Sequence, residues 1–329
     1  MFAHKIVGFT GPDDVQWTEV AEPTADGGVL IDVVAAGVSF ADLLQTKGDY
    51  QMKVPVPYTP GMDAAGVVRS APPGSGLAAG QRVAVLLPYG CWQEVISAPA
   101  VRVLPLPGDL SFEAGAAAPL NYLTALFALV RRAQAQSGET LLVHGAAGGV
   151  GTAAIGVGRA LGLRTVAVVS DEAKKHFALQ CGAHYAVLSD GWLAAVRDIV
   201  GERAVDIIID PVGGDRVTDS LRSLAPEGRL LVLGFSGGEI PLVKVNRLLL
   251  GNTGVLGAAS REFFDQHPET LTGLWSRLLR LRQARALHDP PVQPYPFTHA
   301  RGALRAIADR QATGKVVLSR HIAGWAGLG

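Results

Sequence analysis

Cysteine is nearly missing from this chain, which has 2 in 329 residues. Cys91 and Cys181 cannot make a disulfide framework at this length, and neither lies near a second Cys as a structural zinc site usually requires. Charge of one sign is not in excess either, with 29 Lys+Arg against 29 Asp+Glu. A protein whose main partner is nucleic acid usually carries a basic surplus, so no broad nucleic-acid surface is expected. Neutrality still leaves room for a local pocket that takes one phosphate. The eight His show no H-E-x-x-H spacing, and no nucleophile elbow of a Ser/His/Asp hydrolase is expected. The opening MFAHKIVGFTG has no secretory pattern. Together with the scarce cysteine, this leads us to expect a reducing, cytoplasmic setting. No internal repeat is found.

Apolar residues make up 48% of the chain and charged residues 18%, below the usual quarter. Gly (40) and Pro (20) together are 60 of 329, short of the ~25–30% that marks low complexity. Cores can therefore form, and the length suggests about two domains. From residue 2 to 107 the chain reads as short strands, such as 29–34, 66–68 and 82–87, separated by turns such as Gly11-Pro12-Asp13 and Pro72-Pro73-Gly74. This predicts a compact β-rich, barrel-like domain. After Ser111-Phe112-Glu113 the pattern changes. A helix is predicted over 121–132, and then strands at 140–144, 164–170, 184–188, 205–210, 229–235 and 253–256 alternate with helices at 152–161, 172–181, 191–200 and 215–224. These strands are continuous apolar runs, as in Val205-Asp206-Ile207-Ile208-Ile209, which suits strands covered on both faces. The prediction is a doubly wound parallel sheet. Helices at 271–281 and 300–310 and a closing strand at 315–318 suggest that the C-terminus returns to the first domain, with 321–329 a loose end. The domains are thus placed at 1–120, 121–260 and 261–329.

The longest stretch without Asp, Glu, Lys or Arg runs for nineteen residues from Thr140 to Gly158. It is long enough to test as a membrane span, yet it holds six glycines and His144 and spans poorly. Its glycines follow a strand and open a helix. Within them Gly149-Val150-Gly151-Thr152-Ala153-Ala154 matches G-x-G-x-x-A. Such a cluster makes a tight turn, lets backbone N–H groups approach a pyrophosphate, and packs helix closely on strand, while the helix N-terminus favours the anion. The alternative is a glycine-rich packing turn.

The tip of the second strand discriminates between dinucleotides, since NAD sites usually hold the ribose 2′-hydroxyl there with an acidic residue. This chain has Ser170 at that tip, then Asp171-Glu172-Ala173-Lys174-Lys175. Ser170 and Lys174 favour a 2′-phosphate and hence NADPH, whereas Asp171 opposes it if it points into the pocket. The other possibility is a plain solvated helix start with acids facing the dipole.

With these residues in hand, the sequence resembles the zinc-independent branch of the medium-chain dehydrogenase/reductase superfamily, the quinone oxidoreductase-like proteins, over about residues 3–318. The resemblance is carried by Gly37-Val38-Ser39-Phe40-Ala41-Asp42, Pro60-Gly61-Met62-Asp63-Ala64-Ala65-Gly66, Asn121-Tyr122-Leu123-Thr124-Ala125, the glycine cluster, Asp210-Pro211-Val212-Gly213-Gly214 and Ala312-Thr313-Gly314-Lys315. Zinc-containing relatives carry Cys where this chain has Ser39, His-Glu where it has Met62-Asp63, and a four-Cys lobe that is absent here, so no metal is expected. Many quinone-reductase relatives have Asn in place of Ser39, which alters hydrogen bonding near the nicotinamide.

The resemblance implies an α/β protein with a GroES-like β-rich domain and a Rossmann-type domain, with an NADPH cleft between them. Gly148, Gly149, Val150 and Gly151 would meet the pyrophosphate, and Ser170 and Lys174 the 2′-phosphate. Asn121, Thr124 and the loop Gly234-Phe235-Ser236 would lie along the cofactor near the nicotinamide, and Lys315 would approach it from the returning strand. Tyr50 matches the place where related enoyl-thioester reductases hold a tyrosine proton donor; it is otherwise an aromatic wall. Ser39 and Asp42 complete the catalytic candidates, Asp42 being either an orienting or a catalytic group. Family members commonly dimerise through the last Rossmann strand, here near Thr253–Gly257. The expected activity is NADPH-dependent hydride transfer to a quinone or an α,β-unsaturated carbonyl. Alternatives are an enoyl-thioester reductase of fatty-acid or natural-product synthesis, and an NADPH-binding structural or regulatory protein with little turnover.

Overall fold

The computed structural model describes residues 1–320, so the loose end expected at 321–329 lies outside the described residues. The chain forms two compact units: Met1–Leu120 with Phe264–Trp275 and Asp289 onward, and Asn121–Phe263 with Ser276–His288.

In the first unit the elements run β1 (Phe2–Ile6), β2 (Val15–Glu19), β3 (Val29–Val38), α1 (Phe40–Thr46), β4 (Asp63–Ser70), β5 (Arg82–Leu86), β6 (Val95–Ala98) and β7 (Val103–Pro105), followed by α2 (Phe112–Leu126). β3 is the organising strand. It pairs antiparallel with β4 on one side; on the other, β6 pairs with its beginning and a strand from the far end of the chain with its last residues. Its apolar side chains (Val29, Ile31, Val33, Val38) are buried with Val83, Val85, Ile96 and Trp92 in one core. The helix α1 was not anticipated; it is two turns long and opens on a capping box described below.

The second unit follows α2, which continues through a π-helical stretch at Phe127–Arg132. Its strands β8 (Thr140–His144), β9 (Arg164–Val169), β10 (Tyr185–Leu188), β11 (Val205–Asp210), β12 (Leu224–Val232) and β13 (Gly254–Gly257) alternate with α3 (Gly149–Ala160), α4 (Glu172–Gln180), α5 (Trp192–Val200), α6 (Arg216–Ser223) and α7 (Asn246–Gly251). All pair in parallel, in the order β10-β9-β8-β11-β12-β13. This is the 3-2-1-4-5-6 order of a dinucleotide-binding sheet, which reverses direction between β8 and β11. Leu142, Val166, Ile208 and Leu230 from four adjacent strands are fully buried, as expected for strands covered on both faces. The last two strands sit a few residues from their predicted places, β12 starting earlier and β13 one residue later.

The remaining elements are α8 (Ser260–Gln266), α9 (Thr270–Gln283), β14 (Val292–Pro296), α10 (Ala300–Ala308) and β15 (Lys315–Ser319). β15 inserts between β14 and β3, so the C-terminal strand completes the first unit's sheet. One helical stretch among the described residues, Phe112–Arg132, is long and apolar enough to cross a membrane by length and composition. Since 83% of its most apolar window is buried in the protein, it reads as a core helix.

Candidate functional site

The glycine cluster sits at the carboxyl end of β8, beside the point where the strand order reverses. Gly145 turns the chain with φ 58°, a left-handed conformation that favours glycine. Gly148 is the N-cap of α3 and offers no side chain to the first helical N–H groups, which leaves those donors for an anion. At Gly151 an added Cβ would stand 2.3 Å from Gly145 O and 2.6 Å from Ala146 Cα, both backbone atoms that cannot move aside. A Cβ on Gly149 would meet Asn121 Nδ2 at 2.3 Å, so the buried Asn121 lies directly over the cradle. Val150 is half-buried beside them. The fingerprint's third small residue, Ala154, is fully buried, and Gly158 one turn on packs against Leu141 of β8. His144, just before the turn, is fully buried edge-on to Trp192, with Nε2 2.9 Å from Ser220 Oγ. Burial pushes its pKa down to about 3, so it is neutral.

At the tip of β9, Ser170, Asp171 and Lys174 form a small network. Asp171 is the N-cap of α4 and accepts the Lys174 backbone N–H at 2.9 Å. Ser170 Oγ donates to Asp171 Oδ2 at 2.9 Å, and Lys174 Nζ donates to Ser170 Oγ at 2.9 Å. These hydrogen bonds, led by that from the Lys174 backbone, hold the Asp171 carboxyl below its ordinary range. Asp171 thus caps the helix, in keeping with the alternative of acids at a solvated helix start, and Lys174 and Ser170 stand together beside it.

Thr124 is buried, with Oγ1 2.7 Å from Ser260 Oγ. After β11, Asp210 accepts the N–H groups of Val212 and Gly213 at 2.8 and 3.0 Å, shaping the Pro211–Gly214 turn. That turn is tied to the loop after β12: Ser236 N–H donates to Pro211 O and Gly237 N–H to Val212 O. Gly234, Phe235 and Ser236 are thereby held at the same end of the sheet as the cradle, with the Phe235 side chain partly exposed. The run Gly234-Phe235-Ser236-Gly237-Gly238 does spell the G-x-S-x-G pattern of a hydrolase elbow. It is no nucleophile elbow, because no helix begins until Asn246.

In the first unit, Ser39 is the N-cap of α1, and its hydroxyl and backbone N–H both donate to Asp42 Oδ2, at 2.6 and 2.8 Å. Asp42 is fully buried and its Oδ1 has no partner. Lys315 of β15 donates to Asp63 Oδ1 and Oδ2 at 3.1 and 2.9 Å, both residues being buried. The pair crosses β3 at Gly37, where an added Cβ would fall 2.1 Å from Asp63 Oδ1 and 2.5 Å from Lys315 Cε. Lys315, expected to approach a cofactor, therefore has two of its three N–H donors engaged by Asp63. Tyr50 is half-buried in the loop after α1.

Two clusters thus emerge. Gly148 to Gly151, Ser170, Lys174, Asn121, Thr124 and 234–236 belong to the second unit. Ser39, Asp42, Tyr50 and Lys315 belong to the first. Ser260 was missed, with nothing local to mark it, and Asp63 was noted only within the Pro60–Gly66 motif and not as the partner of Lys315. Among the described residues no group of three His, Cys, Asp or Glu is placed to hold a metal.

Two family models match the chain: the alcohol dehydrogenase GroES-like domain over residues 25–108 and the zinc-binding dehydrogenase over 149–279. Rat quinone oxidoreductase-like protein 2 is 37% identical over 306 residues, covering 92% of this chain and 87% of its own. Among solved structures, a probable oxidoreductase from Mycobacterium abscessus superposes with TM-score 0.89 at 40% identity, over 97% of this chain and 99% of that one. The quinone oxidoreductase of Thermus thermophilus, solved also with NADPH, gives TM-score 0.80 at 35% identity, over 97% and 100%. On sequence, fold and the cradle at the switch point together, this chain belongs to the quinone oxidoreductase-like oxidoreductases of the medium-chain dehydrogenase/reductase superfamily.

Proposed function

We propose that the protein is an NADPH-dependent reductase that passes hydride to a quinone or an α,β-unsaturated carbonyl without a metal. The observation that carries this reading is the uncapped glycine cradle at the switch point, with a lysine and a serine at the tip of the neighbouring strand. The pyrophosphate would rest on the N–H groups of Gly148 to Gly151, and the 2′-phosphate would displace the internal contacts of Ser170 and Lys174. Asn121, Thr124 and the 234–236 loop would line the nicotinamide end, and Lys315 could reach the cofactor only through its third N–H. Bound NADPH supplies a hydride from the nicotinamide C4. An acceptor that is already electron-poor needs no Lewis acid, since the charge that develops on its oxygen can be met by hydrogen bonds. Tyr50, Ser39 and Asp42 are the groups proposed to act there.

The same reading makes the partner a small molecule, with neither nucleic acid nor membrane engaged, and the setting cytoplasmic. It also makes the protein a homodimer. β13 is the edge strand of its sheet, with no Lys or Pro to protect it. The segment leading into it exposes Ile240, Leu242, Val245, Leu249 and Leu250, each at least 70%.

The test follows NADPH and NADH absorbance with a quinone, an enone and an enoyl thioester in parallel. We expect faster turnover with NADPH and with the quinone or enone. Tight NADPH binding with no turnover of any acceptor would reject the enzyme reading, and a preference for the thioester would move the assignment to that class. A Tyr50→Phe variant is expected to lose about 10²-fold in enone reduction if Tyr50 gives the proton; full activity removes it from the mechanism.

A further inference from the structure

The first unit seals four acidic or basic side chains in its core: Asp42, Asp63, Lys315 and His4, the last kept neutral because burial lowers its pKa to about 4. All are at most 3% exposed. The single ammonium is bidentate on Asp63 and makes no hydrogen bond to Asp42, on which its charge and that of Asp63 act in opposite directions. What faces Asp42 otherwise carries no charge. Tyr58 has its pKa pushed up to about 12, first by its own burial and then by Asp42, and its hydroxyl donates to Gln45. The Cys91 thiol is pushed well up by burial. The 12–14 turn and α10 also pack on α1, but Arg305 there pairs with Asp13, and Arg301 donates to Val15 O. The side-chain partner of Asp42 is the half-buried Ser39, and its Oδ1 is orphaned. A carboxylate with one bare buried oxygen is costly, and a neutral carboxyl much less so. Burial accordingly raises the Asp42 pKa to about 6, with the Ser39 hydrogen bonds pulling the other way.

We propose that Ser39 and Asp42 form a proton relay, in which the buried Asp42 carboxyl stores the proton that each quinone reduction consumes and the Ser39 hydroxyl delivers it. The inference rests on the reductase reading above. Hydride transfer oxidises NADPH to NADP⁺ and leaves an electron pair on the acceptor oxygen. There the Ser39 O–H bond breaks as the acceptor O–H bond forms. The Asp42 O–H bond breaks in turn and restores the Ser39 hydroxyl across the 2.6 Å contact, in the direction opposite to the resting hydrogen bond, in which Ser39 donates to Asp42. The Asp42 carboxylate then regains a proton from water.

A capping box made for helix stability alone would share this geometry, so the test reads protonation as well as rate. The proteins are the wild type, Asp42→Asn, Ser39→Ala and Ser39→Thr, with NADPH and a naphthoquinone. Without cofactor, infrared spectroscopy of the wild type is expected to show a protonated-carboxyl band that fades as pH rises through about 6 and is absent in Asp42→Asn. With cofactor, wild-type kcat falls as pH rises through the same region. Asp42→Asn and Ser39→Ala are about 10²-fold slower with flat profiles and unchanged NADPH affinity by fluorescence titration, and Ser39→Thr recovers most of the rate. An Asp42→Asn protein with wild-type rate and pH profile, whatever its melting temperature, overturns the relay, as does a band that Asp42→Asn leaves in place. Should Asp42→Asn not fold, the two Ser39 variants decide in the same way. A wild type that binds NADPH but reduces no acceptor removes the reductase reading and the relay with it. Turnover with unaffected variants removes the relay alone.

Discussion

Lys174 illustrates how one side chain can set cofactor choice. Its Nζ stands 2.9 Å from Ser170 Oγ and 3.3 Å from Asp171 Oδ2, a ready-made anchor that can turn to a phosphate. A hydrogen bond to a charged group contributes roughly 1.5–3 kcal/mol, or about 10- to 150-fold. Lys174→Ala is therefore expected to raise the KM for NADPH by about that factor and leave NADH unchanged, as steady-state kinetics with both cofactors would show. Lost activity with both would mean that the residue holds α4 and not the phosphate. His144 makes a different residue-scale prediction. Its folded pKa lies below its ordinary value, so the stability it brings is complete above about 6.5 and is lost as pH falls toward about 3. Replacing it with Phe is expected to flatten that part of the acid unfolding curve, followed by circular dichroism. An unchanged acid limb would count against a neutral buried imidazole.

At the scale of elements, the Lys315–Asp63 pair ties β15 to β4 across β3. Removing one partner of a buried ion pair leaves a bare charge and costs about 3–5 kcal/mol, whereas replacing both by apolar residues is often nearly neutral. Lys315→Met alone is expected to destabilise by that amount in urea unfolding, and the double variant with Asp63→Leu to recover most of it. Equal losses in both would assign the effect to packing. This pair is also where the sequence was least legible. Its members lie 252 residues apart, and no periodicity links them. The strands β8 and β11, by contrast, were readable end to end, because burial on both faces gives each a dense apolar run, Leu141–Val143 and Ile207–Ile209, with sharp limits. The cradle was readable because a close backbone approach demands glycine. α1 went unread although Ser39 and Asp42 have capping-box spacing, since two turns are too few for a helical pattern to emerge.

For the molecule as a whole, the aliphatic segment before β13 holds the most exposed large apolar side chains among the described residues, with Leu242 at 94% and Leu250 at 78% exposure. If a second copy covers it, Leu249→Lys with Leu250→Glu is expected to shift the sedimenting species from dimer to monomer while the monomer stays folded. A wild type that sediments as a monomer at micromolar concentration would remove the dimer.

The place of β15 has a consequence for synthesis. It lies between β14 and β3, although the whole parallel sheet is encoded between β3 and β15. The parallel sheet's six strands have left the ribosome while the end of β3, Ala35–Val38, still has a bare side. That side waits for a strand roughly 280 residues downstream, on the order of 15–60 s at ~5–20 residues per second. The first unit is the first to be made and the last to close, so its open edge is the stretch that a growing chain must keep from pairing with a neighbour.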